Sequence, residues 1–584
     1  RVASYADSEN PPILHRRELF LSPDDPRRAE FEVFTEEGER IGAYEKTRGI
    51  GTEQGWAATL RRLGYRVGPD GHLVELELKS EAIETEEGPQ AIARHKTALS
   101  RAELSVPMFT MATAGFFNFG YSVLDYGCGR GDDLRALISA GVECSGWDPV
   151  YLPDEELAKA DIVNLGYVIN VIDERSERQE TLLKAFKLTS RLLCVSAMLG
   201  NEATLEKFKP YKDGVVTKRG TFQKYFFQSE LREFIESTLG ADAVAAGPGL
   251  FFVFKDTELQ QQYLANRHKT SIEHRSLRRN KRPTSTASVS HKKIEANRAL
   301  LEDLWSTALT LGRMPVAEEV EQADALSTVF GSLPRSMAVC KESFGVEEFE
   351  RAENIRKNDI LVYLALEHFS KRRPYRRMPG SLKRDITYHY AKYTDARTAG
   401  QATLFSVSNV ELINQSCISA NKQLPASVLE EKVGLIFHKQ FLNLCPPILR
   451  IYVGCALQLY GDLLSIDLIK VHIQSGKVTL LGYDDFDGKP VPRLKERIKV
   501  KMAEQDIDFF DYVLGYKPPP LLGKSLYIDP NSSSYSQQFE FDQKLQKLIG
   551  DDLNDSNLSD DSFRAILKKN RVVIRGFNVL SGSD

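Results

Sequence analysis

One stretch restricts the fold more than any other: Ser122-Val-Leu-Asp-Tyr-Gly-Cys-Gly-Arg-Gly-Asp-Asp133. The apolar pair Val123-Leu124 ends in Asp125, and glycines follow at alternating positions, Gly127, Gly129 and Gly131. Leu134, Leu137 and Ile138 then recur at helical spacing. The pattern predicts a strand, a glycine loop and a helix. Glycines suit such a loop because a side chain would keep a ligand off the backbone. The helix start is expected to turn its unpaired N–H groups toward that ligand.

The acid and the spacing narrow the reading. Dinucleotide folds set a pyrophosphate on G-x-G-x-x-G, whereas this loop reads D-x-G-x-G-x-G with a carboxylate at the strand end. No Gly-Lys-Ser/Thr accompanies it, which argues against a P-loop. A cationic ligand carrying a ribose fits an acid-rich loop better than a polyphosphate does. D-x-G-x-G resembles motif I of the class I methyltransferases that bind S-adenosylmethionine. By analogy with nucleotide folds, a second acid is expected about 20 residues on to hold ribose hydroxyls. Asp148 stands there, in Cys144-Ser-Gly-Trp-Asp-Pro149. The expected cofactor residues are Asp125, Gly127, Gly129, Gly131, Asp132, Asp148 and Pro149. The plainer alternative is an ordinary strand-to-helix turn.

Composition sets outer limits. A chain of 584 residues has room for several domains, and 42% hydrophobic with 27% charged residues is the balance of a globular protein. A net charge of −4 gives no global attraction to nucleic acid, so any such binding must be local. The seven cysteines never form C-x-x-C, so no metal site is expected and a reducing cytoplasm is the simplest location. No apolar run has membrane-spanning length. Residue 1 is Arg, which suggests a fragment or part of a longer product.

Alternating elements after the glycine loop predict a parallel α/β sheet. Expected strands are Val123–Asp125, Glu143–Asp148, Asp161–Leu165 and Leu192–Ser196, with two closing strands between Ala243 and Phe254 turned at Gly247-Pro-Gly249. Helices are expected over Glu174–Thr189 and Gln228–Leu239, the latter capped by Ser229, and from Thr52 through Trp56 and Leu60. The fold class is therefore α/β: a class I methyltransferase (Rossmann-like) core with an added helical domain and a mixed α/β C-terminal region. The expected divisions are an N-terminal segment over 1–80, the core over 91–256, a basic linker over 267–293, a helical domain over 294–395, a mixed α/β domain over 396–515 and a polar tail over 516–584.

Chemistry in such folds gathers at strand ends. Here that end is Asn164-Leu-Gly-Tyr-Val-Ile-Asn170, so Asn164, Tyr167 and Asn170 are candidates to orient an acceptor, or else they satisfy backbone groups. The Asp/Asn-Pro-Pro-Tyr run of amino-methylating DNA enzymes and the Pro-Cys pair of C5-cytosine methylation are both missing there. Phe222 and Tyr225, in Gly220-Thr-Phe-Gln-Lys-Tyr225, could stack on a base or belong to the core. Arg278, Arg279, Lys281 and Arg282 lie in a stretch with one acid, Glu273, and are candidates for phosphate contact or for a solvated hinge. Lys371-Arg-Arg373 with Arg376 and Arg377 forms a second basic patch.

Together, His95-Lys-Thr-Ala-Leu-Ser-Arg101, Leu124–Asp133, Gly146-Trp-Asp-Pro149, Val163–Val171 and Gly220–Lys224 resemble the methyltransferase family associated with DNA phosphorothioation. The resemblance covers about residues 91–515. It implies an S-adenosylmethionine-dependent enzyme linked to DNA modification or bacterial defence, acting on DNA or RNA, with phosphorothioation or defence-system proteins as further partners. It leaves the acceptor open. A non-catalytic cofactor-binding or DNA-tethering protein that keeps the fold is the alternative. Asn10-Pro-Pro-Ile-Leu-His-Arg16 resembles the end of family members yet comes first here. Burial of Ile13, Leu14, Leu19 and Phe20 against residues 440–515, in the same or a second copy, is expected from that displacement.

Overall fold

A computed structural model describes residues 12–44, 50–62, 65–68, 71–75, 104–200, 208–217, 220–270, 291–370, 375–511, 518–553 and 558–581. The chain divides into two compact units. The first comprises Arg1–Phe109, Gly120–Leu188 and Cys194–Leu231, and the second Thr110–Phe119, Thr189–Leu193 and Arg232–Asp584.

The first unit opens with helices α1 (Arg27–Arg40) and α2 (Glu53–Arg62) and a small hairpin, β1 (Tyr65–Val67) with β2 (Leu73–Glu75). The hydroxyl of Thr52 accepts the Gly55 N–H at 3.3 Å and so caps α2, as the sequence predicts. Ala43, Ile50, Trp56 and Leu60 form the core of this part, and Ile13 packs against it. The Asn10 segment thus has a local anchor: Ile13 N–H donates to Gly51 O at 2.9 Å, and His15 Nε2 meets Ile50 O at 2.6 Å. Within a single copy Leu14, Leu19 and Phe20 are exposed. Ile13 packs with the Trp56 core, and the His15 ring also lies against Trp56, centroids 4.5 Å apart.

After α3 (Val106–Thr113) the predicted alternation appears as β3 (Val123–Tyr126), α4 (Asp132–Ser139), β4 (Cys144–Trp147), β5 (Ala160–Gly166), α5 (Arg175–Leu188) and β6 (Thr189–Ser196). Within the first unit the strand order is β6-β5-β3-β4. Strand β3 pairs in parallel with both β4 and β5, Asp125 standing opposite Gly146 and Asn164. All four residues of β3 are buried, as expected for a central parallel strand covered on both faces. A three-stranded antiparallel ribbon follows, β7 (Lys209–Tyr211), β8 (Gly214–Val216) and β9 (Phe222–Gln223).

Helix α6 (Gln228–Leu239) starts at Gln228, so Ser229 lies inside it and is not its cap. The Phe227 N–H is instead held by Glu230 Oε2 at 3.2 Å. In the second unit β10 (Ala243–Gly247) and β11 (Leu250–Phe254) form the predicted hairpin, and the order there runs β10-β11-β6. Asp256 caps α7 (Thr257–Arg267) by accepting the N–H groups of Glu258 and Leu259. The alternation of strands and helices is that of the α/β class expected from the sequence.

Among the described residues seven α-helices then follow: α8 (His291–Ala296), α9 (Arg298–Leu311), α10 (Ala323–Phe330), α11 (Leu333–Phe344), α12 (Val346–Leu366), α13 (Gly380–Tyr390) and α14 (Tyr393–Ser406). Leu301, Leu304, Trp305 and Ala308 of α9 pack with Met337 and Cys340 of α11 and Phe349 of α12. Beside this core lies a buried charge network. Asp385 accepts from Arg313 Nε at 2.5 Å and from Arg356 Nη2 at 2.5 Å. Glu319 takes the other side of Arg313 at 2.7 and 2.8 Å and is shared with Arg384. The Arg313 guanidinium holds the Glu319 carboxyl down at about 2.

The mixed α/β region is built from α15 (Val410–Gln423), β12 (Ser427–Glu430), β13 (Gly434–His438), α16 (Pro447–Tyr460), β14 (Leu468–His472), β15 (Lys477–Tyr483), β16 (Leu494–Lys501) and β17 (Asp506–Asp511). Its six strands form an antiparallel meander in chain order, with α15 and α16 packed over Phe437, Ile469, Val478 and Ile498. Gly476, at φ +60°, makes the turn between β14 and β15. The tail expected to be polar is folded, with α17 (Tyr535–Ile549), α18 (Asp560–Lys569) and the hairpin β18 (Val572–Arg575) with β19 (Asn578–Ser581). Phe541, Leu545, Ile549, Phe563 and Val572 form its core, set among Asp, Asn and Ser residues that mask their helical spacing.

Candidate active site

The glycine loop leaves β3 at Asp125 and enters α4 at Gly131. Gly127, Gly129 and Gly131 all take left-handed backbone angles, φ +86°, +56° and +73°. At Gly127 a Cβ would also meet Val168 Cγ2 at 2.4 Å, so glycine is required twice over. The loop is pinned from β4: Trp147 O accepts the N–H groups of Gly127 at 2.7 Å and Cys128 at 3.2 Å. These N–H groups, with that of Gly129, are satisfied within the protein.

Asp148, at the end of β4, is the centre of the clamp. Its Oδ2 accepts the Gly129 N–H at 3.0 Å, and its Oδ1 accepts the N–H groups of Val150 and Tyr151 at 2.9 and 3.0 Å. Of about four acceptor sites on a carboxylate three are thus taken, and the open one is on Oδ2. Pro149 is exposed and begins the turn that presents Val150 and Tyr151. Asp132, in the first turn of α4, pairs with Arg135, and Asp133 accepts the Ser105 N–H at 2.7 Å, tying the approach segment to the helix start.

Asp125 is buried and accepts from Asn164 Nδ2 at 2.8 Å across the β3–β5 pair. Asn164 Oδ1 and Asn170 Oδ1 have no hydrogen-bond partner among the described residues, although both side chains are only 2% exposed. A buried acceptor left without a donor is costly, so the strand end is poised to receive donors. Tyr167 lies between them at φ +58°, a backbone state uncommon for a bulky residue. Its N–H is held by Ser196 O at 3.0 Å and Ser196 Oγ at 3.2 Å, which join the ends of β5 and β6. Such strain clusters at functional sites.

Sequence reading missed a charged layer under Asn170. Arg178 is buried and places Nη2 at 2.6 Å from both oxygens of Asp213. Lys224, also buried, pairs with Glu230 at 2.9 Å, and its own N–H donates to Asn170 O at 2.7 Å. Lys224 closes the Gly220 motif, where attention fell on the aromatics instead. Phe222 is core, and Tyr225 is half-buried near Phe208.

The thiols at the loop are held toward the protonated form. Burial, reinforced by the carboxylates of Asp125 and Asp148, pushes the Cys128 thiol up to about 12, and Cys144 is raised to about 12 for the same first reason. Among the described residues no group of His, Cys, Asp and Glu could hold a metal ion, and no helix is long and apolar enough to cross a membrane. His95, Lys96, Arg101, Arg278, Arg279, Lys281, Arg282 and Lys371-Arg-Arg373 lie outside the described residues. Two members of the expected basic linker do not stand free: Arg267 is buried against Asp462, and Lys269 is largely buried, which lowers its ammonium pKa.

No protein-family profile matches the chain, and no curated protein matches it. Solved structures similar to part of it include magnesium protoporphyrin IX methyltransferase from Synechocystis PCC 6803 with bound SAH. That match has 11% identity, covers 28% of this chain and 92% of that one, and has a TM-score of 0.19. The same protein with bound SAM matches at 12% identity over 28% and 89%, with a TM-score of 0.17. An O-methyltransferase family protein from Burkholderia thailandensis matches at 15% identity over 25% and 57%, with a TM-score of 0.17.

Proposed function

We propose that this protein is an S-adenosylmethionine-dependent methyltransferase whose acceptor is nucleic acid, and that it serves DNA modification or defence of the phosphorothioation-associated kind. One observation carries the cofactor reading. A glycine loop in left-handed conformation is clamped through Gly129 to Asp148, a carboxylate whose Oδ2 keeps a lone pair open to a ribose hydroxyl. The residues present fit the cofactor. Asp148 would take the ribose, the Gly127–Gly131 surface would lie against the ligand, and the Asp125–Asn164 pair would form the anionic floor. When bound, the cofactor supplies an electrophilic methyl group on a sulfonium. The chain's own part is positioning: Tyr167 fixes the strand end, and the orphaned oxygens of Asn164 and Asn170 accept N–H groups of the incoming substrate.

Asp148→Ala is expected to weaken S-adenosylmethionine binding by about 1–3 kcal/mol, the cost of losing hydrogen bonds to a charged group. Calorimetry on the folded variant measures it, and an unchanged affinity would remove Asp148 from the site. Transfer of labelled methyl to DNA, tRNA and protein of the same host tests the activity; absence of label on all three would favour the non-catalytic reading.

The nucleic-acid reading rests on the Arg278–Arg282 stretch. Neutralised phosphates release counterions, so binding should weaken as salt rises. Replacing Arg278, Arg279, Lys281 and Arg282 with Ser is expected to flatten that salt slope. A slope left as steep as before would reduce the stretch to a hinge.

A further inference from the structure

The second unit contains a cavity of about 200 Å³, remote in sequence from the glycine loop and built by the end of α7, helix α12, the 439–444 turn and α16. Its charge is lopsided. Arg267, Lys439 and Arg450 line it, with Asp462 the one carboxylate among the lining residues. Val362, Leu442 and Leu457 supply apolar wall.

The cations are held in place and only partly used. Arg267 is 7% exposed; its Nε lies 2.5 Å from Asp462 Oδ1, while its Nη2 has no hydrogen-bond partner among the described residues. Arg450 donates from Nη2 alone, to His268 O at 2.7 Å and Asp359 Oδ1 at 2.8 Å. Lys439 spends two donors on the carbonyls of Leu463 and Leu464, at 2.9 and 3.0 Å, and an ammonium has a third. An unpaired buried guanidinium edge is an expensive feature to leave unmatched, and its geometry suits the oxygens of phosphate or carboxylate.

Two further groups choose between those anions. Burial, with Arg267 and Arg450 adding to it, presses the His268 imidazole down to about 3, so His268 is neutral and keeps an acceptor nitrogen. Asp462 is a second acceptor; its Oδ2 already takes the Tyr263 hydroxyl at 2.7 Å. A carboxylate ligand has no proton to offer these acceptors, whereas a hydrogen phosphate or a phosphomonoester with nearby hydroxyls does. The volume lies below the roughly 300–1,000 Å³ of pockets for drug-sized ligands, so the occupant is small.

We infer that this cavity is a binding site for a small phosphate-bearing ligand, gripped by Arg267, Arg450 and Lys439 and separate from the methyl-transfer site.

The test is calorimetry and thermal unfolding of the full chain at constant ionic strength, with inorganic phosphate, ribose 5-phosphate and sulfate as probes. Saturable binding of phosphate or ribose 5-phosphate, tighter than sulfate, is expected; the tighter of the two identifies the source as free phosphate or a small phosphomonoester. Arg267→Gln should weaken that binding by about tenfold or more, the scale of a charge-assisted hydrogen bond. S-adenosylmethionine affinity should stay unchanged. Lys439→Gln, at the turn facing α7, should act in the same direction and serves if Arg267→Gln does not fold. Equal binding of sulfate and phosphate, no saturable binding, or full affinity in both variants would overturn the inference.

Discussion

Replacing Gly129 with Val is expected to abolish S-adenosylmethionine binding, a loss beyond about hundredfold. Gly129 sits at φ +56°, and a β-branched residue held in that region costs about 1–3 kcal/mol. The loop can escape only by moving, and moving breaks the Gly129 N–H bond to Asp148. One substitution therefore displaces the loop surface and releases the carboxylate proposed to hold the ribose. Strand β3 and helix α4 keep their own apolar contacts, so the variant is expected to remain folded by circular dichroism while its calorimetric signal vanishes. A folded Gly129→Val protein with ordinary affinity would refute the placement of the cofactor over this loop.

Asp385→Leu is expected to lower the stability of the second unit by about 3–5 kcal/mol, because it leaves buried guanidinium charge without its partner. Arg313 and Arg356 both end on Asp385, and Arg313 and Asp385 side chains are each 2% exposed. Glu319 compensates only the far side of Arg313. Replacing the arginines as well, in an Asp385→Leu, Arg313→Met, Arg356→Met protein, should recover much of the loss, since apolar groups of similar size tolerate the same burial. Denaturant unfolding separates the two: a single variant as stable as the parent, or a triple variant no better than the single, would show that the charges are not mutually compensating.

The sequence was most readable where one residue type has one physical use. The glycines of the loop and the alternation from Val123 to Phe254 could both be placed because positive φ and strand period leave few alternatives. Helix starts were less readable: Ser229 looked like a cap, but Glu230 reaches back to the Phe227 N–H from inside the helix. The acid at position 148 could be located, yet its three N–H partners could not, because Gly129, Val150 and Tyr151 act through backbone atoms that carry no side-chain signature. The Arg178–Asp213 and Lys224–Glu230 pairs escaped because charged residues are read as surface until a fold buries them. The folded residues of 518–581 escaped for the opposite reason, a small core diluted by polar neighbours.

The clamp on Asp148 also bears on how fast the site works. Gly129, Val150 and Tyr151 fix both carboxylate oxygens before any ligand arrives. A ligand therefore meets an arranged set of acceptors and does not have to assemble them, and little ordering is deferred to the encounter. Association at this edge of the site is then governed by collision and approach, while the lifetime of the complex depends on how well the open acceptor site on Oδ2 is filled. Ligands differing at the ribose should accordingly separate by residence time more than by rate of arrival.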